Sequence, residues 1–239
     1  MILKKKIKID KFRFKKIISY NNIMDFENIY KSRKNILKML RLRGFDTSKY
    51  DNQNREELIV LYQNKDKKTS SLKDTIDILI EREDKKVFVK YILSEKPRSS
   101  AIKKYIDGIY FEDNSFLEKE DEIIFITKDK VTYKGALENY MNSIYLSNKI
   151  FCQVIWLNSL LYDITENKLT PNYRILSQEE KLKIMDKYTV GDEKNFPNVL
   201  INDPLAVYYG VKLNELVEVT YPSKTNGITY FYRLCVTSI

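Results

Sequence analysis

Apolar and polar positions along this chain change period several times, and each change marks a predicted element. Between residues 25 and 43, Phe26, Ile29, Ile36, Leu37 and Leu40 recur at helical spacing, and Gly44 supplies the stop. Residues 52–71 are polar, with the run Lys65-Asp66-Lys67-Lys68, and read as a connector. Two β-rich apolar runs follow at 75–81 and 86–93, then Pro97 and a helix carrying Ile102, Tyr105, Ile106 and Ile109. Residues 122–127 read as a buried strand, 133–144 as a helix through Leu137, Tyr140, Met141 and Ile144, and 150–156 as a further apolar strand. Strand, helix, strand, helix, strand predicts an α/β layer with a parallel sheet.

The last seventy residues are punctuated differently. Ser177-Gln178-Glu179-Glu180 reads as a capping box opening a helix with Leu182, Ile184, Met185 and Tyr188, and Gly191 is placed to close it. In the segment Asp203-Pro204-Leu205-Ala206-Val207-Tyr208-Tyr209-Gly210, a capping Asp, a Pro at the first helical position and a terminal Gly specify both ends of one short helix. Residues 216–221 and 228–236 read as strands joined by Pro222-Ser223-Lys224-Thr225-Asn226-Gly227, with Asn-Gly at the tip of a hairpin. Alternation puts Arg233 on the face with Phe231 and Cys235, where a guanidinium needs carbonyls or a carboxylate.

Composition narrows the chemistry. The 239 residues are 43% hydrophobic, enough for two modest cores, and no apolar run approaches the roughly 18 residues that span a bilayer, so no membrane partner is expected. Met1-Ile2-Leu3-Lys4-Lys5-Lys6 has no continuous apolar stretch behind its charges, which argues against a secretory signal and for an intracellular protein. There is no His, and Cys152 and Cys235 are the only cysteines, so imidazole catalysis and zinc-finger spacing are excluded and the two thiols read as small core residues. No phosphate-cradling loop, dinucleotide fingerprint or repeat appears, and the tyrosines are spread as core and interface residues rather than clustered as a stacking platform.

The net charge of +9 is unevenly placed. Residues 151–239 hold 9 Lys/Arg against 10 Asp/Glu, a net of −1, and residues 1–150 hold 33 against 23, a net of +10. Residues 1–22 alone carry eight basic side chains against Asp10, and read as a tail. Excess positive charge confined to one part points to a polyanion partner or to a solubilising surface.

Taken in order, Leu169-x-Pro171, Leu176-Ser177-x-Glu179-Glu180-Lys181, Tyr188, Pro197, Asp203-Pro204, Tyr208-x-Gly210, Val217, Ser223-x-Thr225-x-Gly227 and Tyr232-Arg233 resemble one family. It is the assembly module of the fifth subunit of eukaryotic nuclear RNA polymerases, which archaeal RNA polymerases share. The chain departs at three places: the family has His where Tyr173 stands, Gly where Asn214 stands, and usually Arg where this chain has Tyr221-Pro222. Arg33-Lys34-Asn35-Ile36-Leu37 and Arg43-Gly44-Phe45 resemble the opening helix of the eukaryotic jaw module, whose fold is akin to restriction nucleases.

The resemblance implies an α/β, or α+β, architecture: a basic tail at 1–22, a restriction-nuclease-like jaw domain at 23–160, and a small α+β assembly domain at 161–239 with two helices and a terminal β-hairpin. It implies a non-catalytic subunit, without a cofactor of its own, docking on the largest RNA polymerase subunit with the jaw near downstream duplex DNA. By resemblance, Pro171, Glu180, Asp203, Pro204, Tyr208, Gly210, Thr225, Gly227, Tyr232 and Arg233 build the assembly module or its interface. The strand-to-helix loop with Lys128, Lys130, Thr132 and Lys134 would face DNA; the family usually has Thr-Pro there, and Tyr133 replaces the Pro. A jaw module implies a eukaryotic or eukaryote-infecting source, and the Lys/Asn/Ile/Tyr bias suggests a large DNA virus, hence nucleus, or cytoplasmic factory or virion.

Two rival readings are weighed beside it. A metal-dependent nuclease of the restriction fold needs an acid on one strand, then an acid and a Lys one residue apart on the next. Asp77 fits the first position, but the second would be Phe88-Val89-Lys90, and Phe88 ligates nothing, leaving Lys90 as an edge or sheet-end lysine. A free-standing basic nucleic-acid-binding protein fits the charge asymmetry but has no need of the punctuated C-terminal helix and hairpin.

Overall fold

A computed structural model describes residues 25–51, 53, 55–63, 76–82, 85–93, 99–111, 115–130, 135–223, 225 and 227–237. The basic tail, the whole 64–75 stretch, Pro97, and Val131 to Lys134 lie outside the described residues. Helix α1 (residues 25–42) buries Phe26, Ile29, Ile36, Leu37, Met39 and Leu40. It ends as the sequence predicts: Gly44 takes φ +89°, its N–H bonds Arg41 O at 2.9 Å, and Phe45 N bonds Leu40 O at 3.0 Å.

The polar connector holds more structure than its composition suggests. Helices α2 (Ser48–Asp51) and α3 (Arg55–Gln63) follow α1, and Leu58 of α3 is buried. Strands β1 (Ile78–Glu81), β2 (Lys86–Ile92), β3 (Glu122–Thr127) and β4 (Phe151–Trp156) form one sheet in the order β1-β2-β3-β4. The pairs β2–β3 and β3–β4 are parallel, with helices α4 (Ser99–Tyr110) and α5 (Ala136–Asn148) as crossovers. The expectation of a parallel sheet fails at β1, which pairs antiparallel with β2, because the connection at 82–85 is too short for a crossover. All six β3 residues are buried, since α4 and α5 cover one face of the sheet and α1 the other.

Beyond residue 160 a second four-stranded sheet runs β5-β7-β8-β6, from β5 (Asn172–Ile175), β6 (Asn198–Leu200), β7 (Leu216–Ser223) and β8 (Gly227–Val236). The expected hairpin is β7–β8, longer than predicted, and the short β5 and β6 have no counterpart among the expected strands. Ser223 opposes Gly227, which takes φ +73°, so this glycine sits at the foot of a three-residue loop rather than at its centre. One face of the sheet packs Val217, Val219 and Cys235 on Ala206 of α7 (Pro204–Tyr209), and the other packs Leu216 and Leu234 on Ile184 and Met185 of α6 (Gln178–Lys187). The architecture is therefore mixed α+β, and among the described residues no helix is long and apolar enough to cross a membrane.

Three local expectations for α6 need correction. Leu182 is exposed rather than inward, Lys181 is buried in its place, and Tyr188 lies past the last helical residue. Gly191 does not close the helix; Thr189 does, at φ +53°, with Thr189 N bonding Asp186 O at 3.0 Å and Val190 N bonding Met185 O at 2.8 Å. Those two bonds and the inward Val190 make the closure favourable enough to hold a β-branched residue in a left-handed conformation. Replacing the exposed Thr189 by Gly should relieve a strain of about 1 kcal/mol, raising the urea midpoint at unchanged slope; a lower midpoint would show that Thr189 is not strained.

Candidate functional site

The assembly-motif residues fall into three groups in space. Asp203, Pro204, Tyr208 and Gly210 make α7. Asp203 Oδ1 accepts from Leu205 N at 2.9 Å and Ala206 N at 3.3 Å, Pro204 fills the first helical position, and Gly210 at φ +71° lets Val211 N reach Ala206 O at 2.9 Å. A side-chain cap of this kind is worth about 0.5–2 kcal/mol, a large share of what holds six residues helical.

Glu180 and Tyr232 belong to the opposite face. Ser177 and Glu180 close a reciprocal capping box, Glu180 N to Ser177 Oγ at 3.2 Å and Ser177 N to Glu180 Oε2 at 2.9 Å. Arg174 of β5 then bridges Glu180 at 2.6 Å and Glu218 of β7 at 3.0 Å, and Tyr232 donates to Glu218 Oε2 at 3.3 Å. Hydrogen bonds from Arg174 and the Ser177 backbone hold the Glu180 carboxyl below its usual range, while burial pushes the Tyr232 phenol up to about 12. Arg174 is not among the residues expected from the sequence; an Arg three residues before a capping box is the signal that points to it.

The third group stands apart. Pro171 immediately precedes β5, and Thr225 with Gly227 sits at the hairpin loop, Thr225 N lying 3.4 Å from Ser223 Oγ. Arg233 finds the Asn198 carbonyl, at a long 3.5 Å, and so stays within this half of the chain. Along the outer half of β8, Ile228 and Tyr230 on one face and Phe231 on the other are about half exposed, and Tyr221 meets Phe231 edge-on.

A residue whose role the sequence hides ties the two sheets together. Arg43, at the end of α1, is buried; its Nη2 donates to Val207 O at 2.5 Å and Gln153 Oε1 at 2.8 Å, and its Nε to Tyr208 O at 3.1 Å. Burial lowers its pKa to about 10, against the pull of Glu122 3.9 Å away, and Lys212 meets the other Glu122 oxygen at 2.8 Å. Gly210 makes room for it: a Cβ there would lie 2.9 Å from Arg43 Cζ. Nearby, Tyr208 donates to Asp163 Oδ1 at 3.1 Å, and Asn35 Nδ2 to Leu160 O at 2.8 Å.

The expected DNA-facing loop is only partly described. Lys128 pairs with Asp25 at 2.8 Å, its carbonyl accepts from Trp156 Nε1 at 3.0 Å, and Lys130 is exposed; Thr132 and Lys134 lie outside the described residues. At the nuclease-like positions, Asp77 is satisfied by Tyr91 N at 2.9 Å and Lys90 Nζ at 3.3 Å, and Phe88 is buried against Phe116. Lys90 is thus neither an edge nor a sheet-end lysine: it sits in an interior strand, paired, over the Tyr105 ring at 5.4 Å. Among the described residues no group of three Cys, Asp or Glu side chains gathers closely enough to hold a metal ion. Burial pushes the Cys235 thiol up to about 12, as befits an unreactive core cysteine.

Residues 162–235 match the family described as RNA polymerase Rpb5, C-terminal domain. An archaeal relative, DNA-directed RNA polymerase subunit Rpo5 of Thermococcus onnurineus, is 37% identical over 75 residues, 31% of this chain and 90% of the relative. The chain belongs to the Rpb5/Rpo5 family. Rpb5-like similarity extends through the first sheet as well: subunit rpabc1 of DNA-directed RNA polymerases I, II, and III of Dictyostelium discoideum is 27% identical over 89% of this chain and 99% of its own length. RNA polymerase subunit 5-like protein 1 of Arabidopsis thaliana is 28% identical over 89% of this chain and 97% of its own length.

Because Gly210 combines a left-handed φ with the approach of Arg43, Gly210→Ala should cost about 2 kcal/mol or more of folding stability. In an Arg43→Ala background the steric part of that loss disappears, so a double-mutant cycle by urea unfolding should give a coupling above about 0.5 kcal/mol. Additive losses would mean that the two residues act separately.

Proposed function

We propose that this chain is a non-catalytic subunit of a multisubunit DNA-directed RNA polymerase, with phosphodiester chemistry and its metal carried by other subunits. The observation that carries the reading is similarity to rpabc1 over 89% of the chain, together with the match of residues 162–235 to the Rpb5 C-terminal domain. Residues 161–239 are the assembly domain and dock on the largest subunit through the outer end of the hairpin, where Ile228 and Tyr230 on one face and Phe231 on the other are half exposed; burial would contribute about 1.5–3 kcal/mol per large side chain. Residues 23–160 are the jaw, near downstream duplex DNA, and 1–22 a basic tail. The protein works inside the cell, in the nucleus or, for a viral source, in a cytoplasmic factory or virion.

Assembly is tested by reconstitution. Asp203→Ala with Pro204→Ala removes the cap and the fixed φ of α7, whose carbonyls hold Arg43, and should lower incorporation into polymerase more than specific activity per assembled enzyme. Wild-type yield at raised temperature would count against the reading.

The DNA contact is tested separately. In assembled enzyme, replacing Lys128, Lys130 and Lys134 with Ala should weaken elongation complexes evenly across unrelated templates and reduce the salt slope by about one unit for each phosphate no longer neutralised. Since Lys128 already holds Asp25, Lys130 and Lys134 are expected to carry most of the change. An unchanged slope would remove this loop from the DNA path.

A further inference from the structure

The cleft between α1 and the α2–α3 segment takes no part in the features described so far. Its volume is about 550 Å³, its floor is made by the buried Leu37 and Leu58, and Arg33, Lys34, Lys38 and Arg41 line it beside Asp51, with Lys38 already held by Glu166 at 2.8 Å and Asp163 at 3.4 Å. The four cations fall on one face of α1 because positions 33, 34, 37, 38 and 41 recur at three- and four-residue spacing. Arg33 is committed to the fold, donating to Gln53 Oε1 at 2.7 Å and to Ile76 O. Arg41 holds Asp51 at 2.8 Å, but both side chains are largely in solvent, so the pair is worth little and an incoming carboxylate exchanges for Asp51 at small cost. Lys34 is exposed, its ammonium 5.0 Å from the Tyr30 ring.

We propose that this cleft is a docking site for an acidic protein segment, an apolar side chain of which seats on Leu37 and Leu58 while flanking carboxylates meet Lys34 and Arg41. Charge complementarity selects an acidic partner, and the aliphatic floor selects one with an apolar anchor. A single-stranded nucleic acid fits less well. It needs bare aromatic faces for its bases, and here Lys34 lies over Tyr30, while Arg33 at 5.5 Å and Lys49 at 5.8 Å lie over Tyr50.

The test uses the full chain alone, so its result is independent of incorporation into polymerase. Fluorescence anisotropy is followed at low salt with three labelled probes: the peptide Asp-Asp-Leu-Asp-Phe-Asp-Asp, the same peptide with Ser in place of Leu and Phe, and an oligothymidylate. Saturable binding of the first peptide is expected, weakened about fivefold to tenfold by Lys34→Glu and by a smaller factor by Lys34→Gln, with melting temperatures unchanged. The Ser peptide should bind much more weakly than the first. The proposal is overturned by absence of saturation, or by equal binding of the Ser peptide. It is also overturned if affinity is indifferent to Lys34, which would place the peptide on the basic tail, or if oligothymidylate binds more tightly with the same dependence on Lys34.

Discussion

A buried guanidinium needs its charge and its N–H groups answered locally, and Arg43 Nε and Nη2 find oxygen acceptors more than a hundred residues along the chain, while Nη1 stays buried without a hydrogen-bond partner. Two carbonyls from the end of α7 and the Gln153 amide oxygen accept from it, and Glu122 shares its one negative charge between Lys212 at 2.8 Å and Arg43 at 3.9 Å. Carbonyls at a helix C-terminus carry partial negative charge and lack intrahelical partners, so the cation and the helix end satisfy each other. The first sheet, the second sheet and α1 are therefore fixed at one point, and the arrangement of either half constrains the other. Tyr208 on Asp163, with Lys38 on the same carboxylate, braces the joint from α7's other side.

Elements whose ends are specified by short-range chemistry are legible in the sequence. Ser177 with Glu180, Asp203 with Pro204, and Gly44 each satisfy backbone groups within a few residues, so the spacing alone carries the structure. What stays hidden depends on partners distant in sequence. Strands β5 and β6 have four and three residues and are stabilised by the edges of a hairpin some forty residues away, so no periodicity announces them. Leu182 points inward on the apolar pattern, but the inward position belongs to Lys181, whose ammonium bonds Asn214 O at 3.2 Å and pairs with Glu193. A helical wheel treats Lys as surface and cannot see a carbonyl brought in from the turn before β7.

Of the expected site, α7 is readable in full because it is one contiguous motif, whereas Arg43 stands out only as part of a local pattern. Its role rests on Gly210 and Gln153, which sequence reading has no reason to connect to it. Asn214 is instructive in the same way. It stands where the resemblance leads one to expect Gly and takes φ +67°, a conformation that Asn tolerates better than most residues. The departure in letters preserves the backbone geometry. Asp77 and Lys90 keep a charge pair on adjacent strands of the nuclease-like layer, and with Phe88 packed into the core that pair anchors the start of β1 to the middle of the sheet.

Most of what Arg43 grips at α7 is main chain. Any residue at 207 presents the same carbonyl oxygen, so the side chain there can drift to suit the apolar surroundings without loosening the joint, whereas Tyr208 adds its hydroxyl through Asp163. The tolerance does not extend to Gly210, where even a methyl group would occupy the guanidinium's place. In a lineage of related chains, substitution should thus be permissive at position 207 and coupled between two positions 167 residues apart, a long-range pairing enforced by a volume too small for one more carbon atom.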